Sequence, residues 1–223
     1  MSAQPWTHDV HGLLKPKFRG LIHLWAIAPM LIAGATLIAL ADGTSTKIAV
    51  GIYTFGVVGM LTCSATYHRA HVTERTRMWL RRMDHAMIGI TVAGTYTPVV
   101  LLVVHGALQL TLLSLLWAGA TGSFIMSLAF PAAPRALRAA TFIALGWGGA
   151  IIMPWIWTHG GVWAFWFVIL GAAFYTAGAL VYALRKPNPW PSIFGFHEVF
   201  HSLVLAAAIS HFVAVALVVH NAG

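Results

Sequence analysis

The sequence is poor in charge, and poorest in negative charge. Charged residues make up 8%, and only five of the 223 residues are acidic, whereas a soluble globular chain carries roughly 25% charge. That leaves too little polar surface to dissolve a monomer in water. There is a single cysteine, Cys63, which excludes an intramolecular disulfide framework and a cysteine-rich metal site. A small apolar side chain within a membrane helix is the simplest use for it. The net charge of +8 is spread over short gaps, with no basic helix or aromatic-interleaved patch, so nucleic acid is not the expected partner. Soluble domains, low-complexity tracts and internal repeats are absent as well.

What the chain does have is apolar length. Hydrophobic residues make up 59%, and they gather into seven runs, each near the ~20 residues needed to cross a bilayer. The runs cover residues 21–41, 48–67, 83–104, 108–129, 139–157, 162–184 and 194–219, after a polar segment 1–20. The first ends in Ala39-Leu40-Ala41, which looks like a signal-peptidase site. Signal h-regions span only about 7–15 residues, however, so this run reads as a retained helix. The gaps carry turn formers such as Asp42-Gly43, Gly160-Gly161 and Pro187-Asn188-Pro189. The expectation is an all-α integral membrane protein, a single seven-transmembrane helix bundle over residues 1–223.

Orientation follows from lysine and arginine. Seven spans put the N-terminus and the second, fourth and sixth loops on one side. That side receives twelve of the 13 basic residues, leaving only Lys47 opposite. Such a bias places the N-terminus in the cytoplasm and the C-terminus outside, and the expected location is the plasma (inner) membrane. Trp155, Trp157, Trp163 and Trp166 then read as an interfacial belt. Pro29, Pro98 and Pro154 fall inside spans, where proline can kink a helix. Two small-residue patches, Gly146-Trp147-Gly148-Gly149 and Ala118–Gly122, mark expected close helix contacts.

Against this background the polar residues stand out. His197-Glu198-Val199-Phe200-His201 places two imidazoles at i and i+4 on one helix face and matches the H-E-x-x-H zinc pattern. Spacing alone is weak, since twelve histidines in a chain this long give about 0.6 such pairs by chance. Topology adds what spacing lacks. His68 closes the second span at its cytoplasmic end, with Ser64 one turn deeper on the same face, and Asp84 opens the third span at that level. Only two acids, Asp84 and Glu198, lie in or at the edge of spans, where ionisable groups are functional candidates by default.

His68, His197 and His201 beside Asp84 therefore resemble a catalytic zinc site, with three protein ligands and an open fourth position. Three nitrogens suit zinc better than magnesium or calcium. Bland readings stand alongside. The histidines can be hydrogen-bonded bundle residues. Asp84 can be a helix-end charge paired with Arg82 or His85, and Ser64 can back-bond to its own helix. His211 lies about 21 Å along the helix from His197 and suits a buried hydrogen bond. His23 is at the right level but has no partner spacing. His8, His11, His71, His105, His159 and His220 are expected to see water.

The residues also carry a resemblance. Lys15-Pro16-Lys17-Phe18-Arg19-Gly20, Ser64-Ala65-Thr66-Tyr67-His68-Arg69, Arg82-Met83-Asp84-His85-Ala86, Ala93-Gly94-Thr95-Tyr96-Thr97-Pro98, the H-E-V-F-H block and Ala206–Phe212 look like the hemolysin III family. That family belongs to the progestin and adipoQ receptor (PAQR) group of seven-helix proteins. The resemblance implies a cytoplasmic N-terminus, zinc on His68, His197 and His201, and Ser64 and Asp84 close to the metal. The wider superfamily includes alkaline ceramidases, which implies hydrolysis of lipid amides. Bacterial members are called haemolysins and are linked to membrane-lipid homeostasis. The short N-terminus resembles the bacterial branch.

Four functions follow as expectations. The first is a zinc-dependent hydrolase of membrane-lipid amides or esters, with Asp84 as the proton acceptor and Ser64 as a hydrogen-bond donor. The second is a non-enzymatic receptor or sensor with structural zinc, closed by Asp84 as a fourth ligand. The third, a pore-forming haemolysin, lacks a charge ring or polar helix face to line a channel. The fourth, an intramembrane metalloprotease, would use Glu198. That residue points about 100° away from His197, so it need not face a metal that His68 completes. Membrane lipids are the expected substrate or ligand, and no residue names a head group, an acyl length or an oligomeric state.

Overall fold

Seven helices, each long and apolar enough to cross a bilayer, account for most of the chain in a computed structural model that describes residues 15–222. They are α1 (Leu21–Leu40), α2 (Thr44–Arg69), α3 (Glu74–Val103), α4 (Ala107–Ala129), α5 (Ala136–Gly160), α6 (Val162–Leu184) and α7 (Phe196–Ala222). Residues 1–14, with His8 and His11, fall outside the described part. In hydrocarbon every backbone N–H and C=O must be paired within the segment, so long apolar runs have helix as their open choice. The protein is a multi-pass membrane protein with an all-helical fold.

The helices outrun the hydropathy that signals them. α3 begins at Glu74, nine residues before the apolar run, because Thr73 caps it by accepting from the Thr76 N–H and Glu74 sits in its first turn. Arg75, Arg77, Arg81 and Arg82 therefore lie on a helix rather than in a loop, and Asp84 lies inside the helix instead of opening it. Hydropathy marks where the slab ends, not where the helix does.

Proline shapes only one helix strongly. α1 and α3 continue through Pro29 and Pro98. α5 breaks its regularity around Pro154, passing through a 3₁₀ turn at Gly149–Ile152 and a π turn at Ile156–Gly160, as expected where an N–H is missing from the ladder. Trp157, Trp163 and Trp166 stand exposed at the α5–α6 junction, which suits an interfacial belt. Of the two small-residue patches, Gly149 meets the Tyr96 ring and Gly119 meets Leu145, whereas Gly122, Gly146 and Gly148 face open space.

α2, α3 and α7 form the interior, with α1 against α2, α4 against α3 and α6 against α7. Val50, Tyr53, Leu61, Val100 and Val215 fill the core between them. His211 is buried there and bonds to the Val168 carbonyl at 3.3 Å through Nε2, the expected use. Its ring fits only because residue 171 is glycine: a Cβ there would stand 2.1 Å from the imidazole. His71, His105, His159 and His220 are exposed.

Candidate metal centre and cavity

α7 starts with an ordered cap, and that cap fixes its two histidines. The Phe196 N–H donates to the Asn188 side chain at 3.0 Å. The Gly195 N–H donates to Glu198 Oε2 at 2.9 Å, the reach-back of a capping-box glutamate three residues into a helix. Glu198 is 1% exposed, and its other oxygen accepts from Arg19 Nε at 2.5 Å. Both carboxylate oxygens are thus committed. The segment carrying Arg19 is held in place by backbone bonds from the Lys17 and Phe18 N–H groups to Ser192 and Ile193, each 3.2 Å. The glutamate of the H-E-x-x-H string belongs to the helix start.

The histidines turn the other way. His68 from α2 and His197 and His201 from α7 bring ring nitrogens within 4.8 Å of one another, with His68 and His201 buried. His68 Nε2 and His197 Nε2 are 3.1 Å apart. Two nitrogens bound at 2.0–2.1 Å to one tetrahedral ion would be about 3.3 Å apart. His201 Nε2 is buried without a hydrogen-bond partner, and an orphaned polar atom of that kind costs roughly 1–3 kcal/mol unless a ligand takes it. Three imidazoles with no sulfur fit a borderline transition-metal ion. The group can hold a metal ion.

Two further residues shape this cluster. Gly20 precedes α1 with φ of 78°, and a Cβ there would lie 2.7 Å from the Cβ of His68, so both the left-handed conformation and the close approach require glycine. Three residues on, His23 is buried and its Nδ1 lies 3.0 Å from His201 Nδ1. A partner on the far nitrogen of a metal-binding histidine sets its tautomer and orientation. Sequence reasoning put His23 at the right level but had no spacing to tie it to His201, because the contact joins α1 to α7.

Asp84 and Ser64 face the same space. Both line one cavity with His68, His197 and His201. Ser64 interacts with Asp84, yet its buried hydroxyl makes no hydrogen bond of good geometry. In particular it does not back-bond, whereas Thr54, Thr91, Thr95, Thr97 and Ser210 each bond to the carbonyl four residues earlier. Of the two helix-end partners considered for Asp84, His85 bonds to the Arg81 carbonyl at 2.7 Å and contacts the Tyr182 hydroxyl at 3.3 Å, and Arg82 lies over the Trp79 ring at 4.9 Å.

The cavity itself measures about 170 Å³ and reaches from the histidine cluster down to His211. Those levels are about 21 Å apart along α7. Ile88, Val92, Phe142, Ile143 and Val204 line its body. Trp147 lines it too and is 46% exposed on the outer surface, with its indole N–H donating to Thr176 at 3.1 Å. Trp147 thus stands both in the cavity wall and on the outer surface, beside α6.

The sequence is similar to known proteins. Residues 11–212 match the model of a family described as haemolysin-III related. A hemolysin-3 homolog of Bacillus subtilis is 28% identical over 162 residues, which cover 72% of this chain and 73% of its own. The heptahelical transmembrane protein ADIPOR2 of Oryza sativa subsp. japonica is 31% identical, over 71% of this chain and 78% of its own. An adiponectin receptor protein of Drosophila melanogaster is 31% identical over 76% of this chain, but over only 42% of its own length.

Proposed function

The chain belongs to the haemolysin-III-related family, within the PAQR group, and on that premise we propose that it is a zinc-dependent hydrolase of amide or ester bonds in membrane lipids. The observation that carries this reading is the buried cluster of His68, His197 and His201 at the head of an apolar cavity. The cluster gathers three donors, with the Asp84 carboxylate outside it, which favours an open catalytic site over a closed structural one. Zinc held by these residues would supply Lewis acidity to polarise a carbonyl and would bring the pKa of water toward ~7.

The chain's own residues do the rest. His68, His197 and His201 hold the ion as neutral imidazoles, and His23 keeps the His201 ring turned inward. Asp84 accepts the proton of the attacking water on its carboxylate and returns it to the departing amine or alkoxide. The Ser64 hydroxyl, free of any back-bond, donates to the oxygen that gains charge as the carbonyl is attacked. Apolar walls exclude bulk water and take the acyl chain, which enters from the bilayer past Trp147. The charge asymmetry supports a site near the cytoplasmic face of the plasma membrane, with a role in lipid homeostasis.

Elemental analysis of detergent-purified protein tests the premise: one zinc per chain is expected, and none in the His68→Ala protein. Turnover of a lipid-amide and lipid-ester panel then tests the chemistry. Asp84→Asn is expected to lower the rate by about 100-fold or more with zinc retained. Full turnover in Asp84→Asn, or in protein stripped of zinc, overturns the hydrolase.

A further inference from the structure

α3 writes the character of the cavity along one face. Arg77, Arg81, Asp84, Ile88, Val92 and Thr95 all line it, at the three- and four-residue steps that keep side chains on one side of a helix. The stripe runs from basic, through one acid, to apolar. At the basic end both residues are half-buried, and neither has a side-chain hydrogen bond or ion pair among the described residues, where the only ion pair is Arg19–Glu198.

Three other arginines near this end have partners. Arg19 holds Glu198, Arg82 stacks on Trp79, and Arg138 donates to the carbonyls of Pro131 and Ala133. Arg75, which points elsewhere, is exposed. Arg77 and Arg81 differ from these: both line the cavity, where Asp84 interacts with Arg81 without forming an ion pair. The geometry leaves their donors for an incoming ligand.

Resting on the hydrolase reading of the same cavity, we propose that its ligand is an amphiphile with a phosphate head, held by Arg77 and Arg81, and an apolar chain in the body beyond Asp84. Guanidinium forks match phosphate oxygens in bidentate fashion. A phosphate monoester carries about −1.5 to −2 charge at neutral pH, which balances two arginines better than one carboxylate does. A neutral lipid would leave two cations facing the single carboxylate of Asp84 among the described lining residues. The apolar body explains why the anion should arrive attached to a chain.

The test is calorimetric titration of the full-length protein in phosphatidylcholine nanodiscs with three probes: lysophosphatidic acid, a monoacylglycerol of the same chain length, and inorganic phosphate. The phosphate amphiphile is expected to bind at least about tenfold more tightly than the neutral one. Arg77→Gln with Arg81→Gln should bring the two within about twofold, while Arg75→Gln keeps the preference. Zinc content reports that each variant is folded, and Arg77→Lys with Arg81→Lys, which keeps the charge, should retain part of the preference. Equal binding of the two amphiphiles overturns the proposal, as does a preference that survives in the double glutamine variant. Inorganic phosphate that competes at the concentration of lysophosphatidic acid also overturns it, by making the free anion the ligand. If the hydrolase reading fails instead, the preference persists without turnover.

Discussion

The inner and outer helices of this bundle divide the work sharply. In the most apolar stretch of each helix, 72% of α3, 56% of α2 and 50% of α7 is buried, against 28% of α1 and α4 and 22% of α5 and α6. Asp84, Ser64, His68, His197 and His201 all sit on the first three. A polar side chain in hydrocarbon needs neighbours to satisfy it, and only helices surrounded by others offer them. The outer four shield this interior. They also lend polar groups to it, among them His23 from α1, Trp117 from α4 and Tyr182 from α6.

The largest effect should come from cutting the tie that fixes the start of α7. Glu198→Ala leaves Arg19 beside a buried site without its anion and removes the cap on Gly195. Breaking a buried pair costs about 3–5 kcal/mol. Arg19 is 11% exposed, so the lower end, about 3 kcal/mol, is expected. Thermal unfolding in detergent measures it. Glu198→Gln, which keeps the shape and one acceptor, should be milder and should retain zinc. A glutamine protein that is stable and zinc-loaded but catalytically dead would instead make Glu198 a base, and the inner constellation would need redrawing.

The next effect tests whether an outer helix helps the inner site. His23→Ala removes the partner of His201 Nδ1 without touching the three clustered donors. Outer-shell partners of metal-binding histidines are typically worth 10–100-fold in affinity, so competition with a chelator of known zinc affinity should show a loss of about that size. The stoichiometry should stay at one. A fall to zero would make His23 a ligand rather than a positioning residue.

How much of this was legible follows from where each contact lives. His197 and His201 lie on one helix at a regular spacing, and counting spans brought His68 and Asp84 to their level. The seven helices themselves follow from hydropathy. His23 stayed hidden because its contact joins residues 178 positions apart, which no periodicity encodes. Arg77 and Arg81 were misplaced for a different reason. Hydropathy ends where lipid ends, so the basic first turns of α3 looked like a loop. Glu198 was half visible: Gly195 to Glu198 has the spacing of a capping box, but the zinc pattern that shares those letters drew attention to chemistry.

The smallest effect belongs to the outer face, and it probes the division itself. Leu115 on α4 is 65% exposed, so in the bilayer it trades lipid contacts for lipid contacts. With no water to escape, shortening it forfeits little: Leu115→Ala should change stability by less than about 0.5 kcal/mol, and zinc content not at all. Leu61 on α2 is fully buried, and the same truncation there should cost about 2 kcal/mol, the low end for a leucine-to-alanine cavity, since no transfer from water adds to it. Unfolding of the two variants side by side gives the ratio. If Leu115→Ala proved as costly as Leu61→Ala, α4 would have to be packed against something, and a second copy of the chain would be the first partner to test by its oligomeric state.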